Sequence, residues 1–207
     1  MPSRRRKLPT SARRSLSQCL PSDPLHILSP SVDSSLLLQD HSCLQWLDVQ
    51  PPGSVIYVSL GSLMSIGAHE LTEIACGLAG SKRPFLWVVW PGLVRGCEFS
   101  ALPNEVQEEI HDKGRMVSWA PQQDVLKHSA VGAFLTHCGW NSTLESILEG
   151  VPMICRPLGG DQLCNARYVC EGWKVGVRVV EVGNQLTRGD VQVAIEKMMG
   201  QKKGDEI

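Results

Sequence analysis

Residues 131–155 read VGAFLTHCGWNSTLESILEGVPMIC, and this stretch decides the fold. Val131 to Leu135 is an apolar run of strand length, and Gly139 lies just beyond it, where the backbone must turn tightly. Asn141 or Ser142 can cap a following helix. Leu144, Ile147, Leu148 and Val151 recur at helical spacing and make its buried face. Met153-Ile154-Cys155 is a second strand-like run. Strand, tight turn, helix and strand in close succession form a βαβ unit, whose two strands lie parallel.

Working outward, the same alternation recurs. Val55 to Val58 is a β-branched and aromatic run that ends in Ser59-Leu60-Gly61-Ser62. Leu71, Ile74, Ala75 and Leu78 follow at helical spacing, with Gly80 as the expected stop. Phe85 to Val89 is a further strand, closed by Pro91-Gly92. Met116 to Ser118 is another, and Pro121 behind it suits the first turn of a helix. Val175 to Val180 makes a sixth strand. Thr187 with Asp190 three residues on reads as a capping box before Val191, Ile195 and Met198, and Gly200 lies past the helix end. Strands alternating with helices predict a doubly wound α/β domain with a parallel sheet over residues 52–200. Residues 1–51, rich in Ser, Pro and Arg, are expected to be a poorly ordered basic tail and linker, and 201–207 a short C-terminal tail.

Composition narrows the function. The 207 residues are 43% hydrophobic and 20% charged, the balance of a globular protein with its own core. No apolar run approaches the roughly 18 residues that a membrane span requires. Residues 1–22 hold six basic side chains and no acid, so the remaining 14 basic residues face all 21 acidic ones. An acidic body lacks the basic face of a nucleic-acid-binding domain. The first twenty residues have the composition of an organelle transit peptide but no amphipathic helix. The eight cysteines show neither a CxxC pair nor zinc spacing, and no secretory signal precedes them. They read as reduced thiols in a cytoplasmic protein.

In a sheet of this kind ligands bind beyond the carboxyl ends of the strands. The residues there are Ser59 to Ser62, Trp119, His137 to Ser142, and Arg156 to Gln162. The helix starting near Gly139 offers unpaired N–H groups and a positive dipole end to a phosphate, and His137 can add a donor. The bland reading of the same residues is a helix cap on an ordinary loop. Glu145, one turn in and off the apolar face, can accept hydrogen bonds from a ribose diol. Its alternative is a favourable charge near a helix start. Trp119 can stack on a base or simply pack. Asp161 and Gln162, after Gly159-Gly160, can bind sugar hydroxyls or form a solvated turn. No GxGxxG, GxxxxGK[ST] or GxSxG is present, so dinucleotide oxidoreductases, P-loop enzymes and α/β-hydrolases lose their signatures.

Residues 119–162, WAPQQDVLKHSAVGAFLTHCGWNSTLESILEGVPMICRPLGGDQ, closely resemble the complete 44-residue signature box of plant secondary-product UDP-glycosyltransferases. The resemblance extends from about Pro24 to Met199, through Gln45-Trp46-Leu47-Asp48 and Tyr57-Val58-Ser59-Leu60-Gly61-Ser62. It implies the C-terminal, donor-binding Rossmann-like domain of a two-domain GT-B enzyme. By that resemblance, Trp119 stacks on uracil and the Ala120 backbone meets its edge, while Gln122 and Glu145 hold the ribose. His137, Asn141 and Ser142, with Gly139 at the turn and Ser62 nearby, bind the diphosphate. Trp140, Asp161 and Gln162 contact the sugar.

A glutamine at the last position of the box implies UDP-glucose as donor. The resemblance implies inverting, metal-independent transfer to a small lipophilic acceptor such as a flavonoid, terpenoid or hormone. The family's catalytic base is a histidine near the start of its N-terminal domain. His26 and His41 match no such position, so no catalytic residue is assigned here. Trp90 stands where an arginine is common and Leu60 where a phenylalanine is common. The expectation is a donor half without its acceptor half. The alternatives are a non-catalytic UDP-sugar-binding module or a truncated relic.

Overall fold

Val55–Ser59 is buried along its whole length, so this strand (β1) must be covered on both faces. A computed structural model, which describes residues 38–95, 104–181 and 183–200, shows how. β1 lies inside a six-stranded sheet with β2 (Phe85–Val88), β3 (Gly114–Val117), β4 (Val131–Thr136), β5 (Met153–Cys155) and β6 (Gly176–Arg178). The order is β3-β2-β1-β4-β5-β6 and every pairing is parallel.

Among the described residues, seven α-helices flank the sheet. They are α1 (Ser42–Asp48), α2 (Ala68–Gly80), α3 (Asn104–Lys113), α4 (Gln122–Lys127), α5 (Trp140–Glu149), α6 (Gln162–Arg167) and α7 (Arg188–Met199). Side-chain alternation divides the core accordingly. Val55 and Tyr57 point to the layer holding α1, α4, α5 and α6, with Cys43, Leu47, Val125 and Ile147. Ile56 and Val58 point to the layer of α2, α3 and α7, with Leu71, Ile74, Ile110 and Val191. The Tyr57 and Phe134 rings stack at 4.9 Å across β1 and β4. The doubly wound α/β reading of the sequence holds, and all six expected strands form.

The structure differs at several elements. α1 lies in the stretch read as linker, yet Cys43 and Leu47 are fully buried in the core. Residues 1–37 and 201–207 lie outside the described residues. Leu148 is 48% exposed, so the buried stripe of α5 is narrower than its spacing suggests and rests on Thr143, Leu144, Ser146 and Ile147. Gly139 takes the cap position of α5, with no capping side chain, in place of Asn141 or Ser142. α2 runs through Gly80 and ends at Ser81. The Thr187–Asp190 capping box is present as read.

The order places one feature decisively. The chain winds outward from β1 to β3, then crosses back to β4 and winds the other way. The crevice of such a sheet opens where the direction reverses, between the carboxyl ends of β1 and β4. Ser59 and Thr136 are the last paired residues there.

Candidate functional site

His137 follows β4 directly and projects across the crevice toward the loop after β1. A Cβ added at Gly61 would come within 2.6 Å of its Nε2, and one added at Gly139 closer still. Two glycines therefore make room for the imidazole. Gly61 also holds φ at +76°, a backbone conformation that side chains resist. His137 Nδ1 is sealed from solvent and makes no well-formed hydrogen bond, with the Ser59 main chain as its polar neighbour. Burial holds the ring below the usual histidine range, against the pull of that main chain and of Asp161.

The turn between His137 and α5 is strained and braced. Cys138 sits at φ +65°, rare for a residue with a side chain and costing about 1–3 kcal/mol. Its N–H donates to Thr136 Oγ1 at 3.1 Å, and its carbonyl accepts from Asn165 Nδ2 at 3.0 Å. The same Asn165 amide donates to Asp161 Oδ2 at 3.0 Å. The brace aims the start of α5 into the crevice. Thr143 is the first residue of the helix whose N–H finds a backbone acceptor, the Gly139 carbonyl. The N–H groups ahead of it face outward with the positive end of the helix dipole, the arrangement that receives an anion.

Beside this turn lies a polar cluster at the start of α4. Gln122 Nε2 donates to Glu145 Oε2 at 2.6 Å and to Ser142 Oγ at 3.0 Å. Gln123 reaches the other carboxylate oxygen of Glu145 at 3.3 Å. Tyr57 donates its hydroxyl to Gln122 Oε1 at 3.2 Å. Trp119, half-buried, packs on the core layer just ahead of buried Ala120.

On the far side, Gln162 is almost wholly buried. Its Oε1 accepts from the N–H groups of Leu158 at 2.8 Å and Gly159 at 3.3 Å, and its amide nitrogen lies 3.6 Å from Met64 Sδ. Arg156 ties the same loop to α2 through an ion pair with Glu70 at 2.6 Å. Asp161 and Asn141 are exposed, and Trp140 is 40% exposed. Ser62 is exposed in the loop after β1.

The residues singled out in sequence thus fall along one edge of the sheet: Gln122, Ser142 and Glu145 in direct contact, His137 and Gly139 at the turn, Asp161 and Gln162 beyond it. Gln162 spends its carbonyl oxygen on its own loop. Sequence reading missed the roles of Tyr57 and Asn165, the brace at Thr136 and, although it placed Arg156 at this edge, the pairing of Arg156 with Glu70. Only Asn165 carried a signal, since it follows Asp161 at i+4 on one helix face. Among the described residues, no group of three or more His, Cys, Asp or Glu is gathered to hold a metal ion. No helix among them is long and apolar enough to cross a membrane.

Comparison with known proteins fits this geometry. The family model described as UDP-glucoronosyl and UDP-glucosyl transferase matches residues 17–206. DIMBOA UDP-glucosyltransferase BX9 of Zea mays is 56% identical over 187 residues, which cover 89% of this chain and 40% of that protein. Among solved structures, Os79 from O. sativa in complex with UDP is similar with a TM-score of 0.73 at 39% identity, covering 80% of this chain and 36% of that one. Phytolacca americana UGT2, complexed with UDP-2fluoro-glucose and pterostilbene, gives 0.72 at 41%, covering 83% and 38%. The chain spans about 40% of the length of the curated relatives it matches. A parallel sheet with this crevice, a family model over most of the chain and relatives this similar lead to one conclusion: the chain belongs to the UDP-glucoronosyl and UDP-glucosyl transferase family.

Proposed function

We propose that this chain is the donor-binding part of a UDP-glucosyltransferase, which moves glucose from UDP-glucose to a small lipophilic acceptor with inversion and without a metal. Residues 52–200 form the nucleotide-sugar-binding unit, and α1 packs on it. One observation carries the reading: His137 Nε2, lodged between Gly61 and Gly139, lies beside an uncapped helix start at the switch point of the sheet.

In this reading residues 119–162 act as the signature box of the plant enzymes. Uracil stacks on Trp119 and meets the Ala120 backbone. Ribose hydroxyls engage Glu145 and Gln122. The diphosphate takes the α5 N–H groups, with Asn141, Ser142, His137 and Ser62. Trp140, Asp161 and Gln162 face the sugar. Negative charge grows on the diphosphate as the glycosidic bond breaks, and preorganised donors fixed at the leaving group stabilise it without reorganisation. Removing one such donor typically costs about 10²–10³ in rate. Deprotonation of the acceptor belongs to the part of the relatives that this chain does not span. The acceptor class follows the relatives, one named for DIMBOA and one solved with pterostilbene.

The deciding experiment is a calorimetric titration of the chain with UDP, repeated on His137→Ala. Saturable binding that weakens at least tenfold in the variant supports the reading. A folded wild-type chain that does not bind UDP overturns it.

A further inference from the structure

Tyr57 reads as a core aromatic. It is 1% exposed, it lies in the middle of β1, and its ring stacks on Phe134. Its hydroxyl is the exception, because a buried phenol needs a hydrogen-bond partner. That partner is Gln122 Oε1, on the first residue of α4, and the Ser59 side chain lies beside the same oxygen. Burial raises the phenol far above its usual range, so at neutral pH it is a fixed O–H donor.

The consequence lies in the Gln122 amide. An amide has two orientations, and they are not equivalent here. Its nitrogen must face Glu145 Oε2 and Ser142 Oγ, at 2.6 Å and 3.0 Å, since an oxygen turned toward the carboxylate would be repelled. The Tyr57 hydroxyl meets the amide oxygen from the opposite side and holds that orientation. β1, α4 and α5 are thereby linked through one chain of hydrogen bonds ending on a carboxylate. We propose that Tyr57 is a positioning residue for ribose recognition: by fixing the Gln122 amide it places the Glu145 carboxylate for the sugar diol. This rests on the donor-site reading above.

Tyr57→Phe keeps the ring, its packing and its stacking on Phe134, and removes only the hydroxyl. The experiment titrates wild type and Tyr57→Phe with UDP and with 2′-deoxy-UDP, after circular dichroism has shown that both are folded. Loss of one positioning hydrogen bond is expected to weaken UDP about three- to tenfold. It should weaken 2′-deoxy-UDP, which keeps only one hydroxyl of the diol, by a clearly smaller factor, so the preference for the 2′-hydroxyl falls. In a Gln122→Ala background, Tyr57→Phe should cost nothing further, because the path runs through that amide. An equal loss for both nucleotides would mean a merely structural role and overturn the inference. So would no loss for UDP, or an undiminished effect of Tyr57→Phe in the Gln122→Ala background, which would route the hydroxyl through Ser59. Should the wild-type chain bind neither nucleotide, the donor-site reading fails and this inference with it.

Discussion

An alanine at position 61 would carry a methyl group to within 2.6 Å of His137 Nε2 while holding φ at +76°. Both effects act at one point. The left-handed backbone alone costs a residue with a side chain about 1–2 kcal/mol, and the displaced imidazole leaves the crevice misshapen. Gly61→Ala should therefore lower stability to chemical denaturation by about 1–3 kcal/mol and weaken UDP at least tenfold by calorimetry. His137 also predicts a proton linkage. Burial lowers its pKa, and an anion at Nε2 favours the charged ring. Near pH 7, UDP binding should draw a fraction of a proton onto His137. Titrations in buffers of different ionisation enthalpy should show this uptake in wild type and its loss in His137→Gln. The stability sign follows from the same shift. An unfolded chain takes up the proton first as pH falls below about 6.5, so His137 makes the free protein less stable there.

At the scale of elements, α2 and α7 meet through Glu73. The carboxylate is nearly buried, accepts from the Arg188 N–H at 2.6 Å, and pairs with Arg188 Nη2 at 2.8 Å. The Arg188 hydrogen bonds lower its pKa, so its contribution is present above the unfolded carboxylate pKa and is lost as pH falls through the folded one. Glu73→Gln should cost about 1–3 kcal/mol at neutral pH, and less in acid, in paired denaturation curves at both pH values.

The same scale shows what sequence reveals. The four inner strands are buried, nearly continuous apolar runs and were legible as such. The partly buried edge strands β3 and β6 showed only through short apolar stretches at Met116-Val117 and around Val177. α3 was not legible: its sequence, NEVQEEIHDK, is almost entirely polar. It is held chiefly by Ile110, which is 2% exposed. α1 was hidden among Ser and Pro, and α6 gave no repeating apolar face before it passes into a π-helical turn at Tyr168–Gly172. At the site, His137, Gly139 and Glu145 were legible because strand ends and helix starts have positions in sequence. Tyr57 was not, because its ring has the signature of a core residue and its hydroxyl meets a partner from a distant helix.

For the molecule as a whole, the crevice predicts a ligand effect on global stability. A nucleotide that binds only the folded chain should add about 2.7 kcal/mol at a hundredfold excess over its Kd, seen as a rise in thermal midpoint with UDP. On the proposed metal-independent reading, a chelator should leave that rise unchanged. The apolar side chains around the crevice mouth, Leu63 at 95%, Trp140 at 40% and Leu163 at 37% exposure, mark a face suited to a second body. On the proposed reading, adding the part of a relative that this chain does not span, produced separately, should raise glucose transfer above the level given by the chain alone.

The placement of β1 has a kinetic consequence. Its two neighbours, β2 and β4, enter at very different times during synthesis, because α3, β3 and α4 separate them in the chain. Pairing β1 with β4 closes a long loop before any contact repays the lost entropy, which slows folding. The crevice has one wall from each of these strands, so it exists only after that late closure. UDP should then slow unfolding markedly while leaving the refolding rate almost untouched.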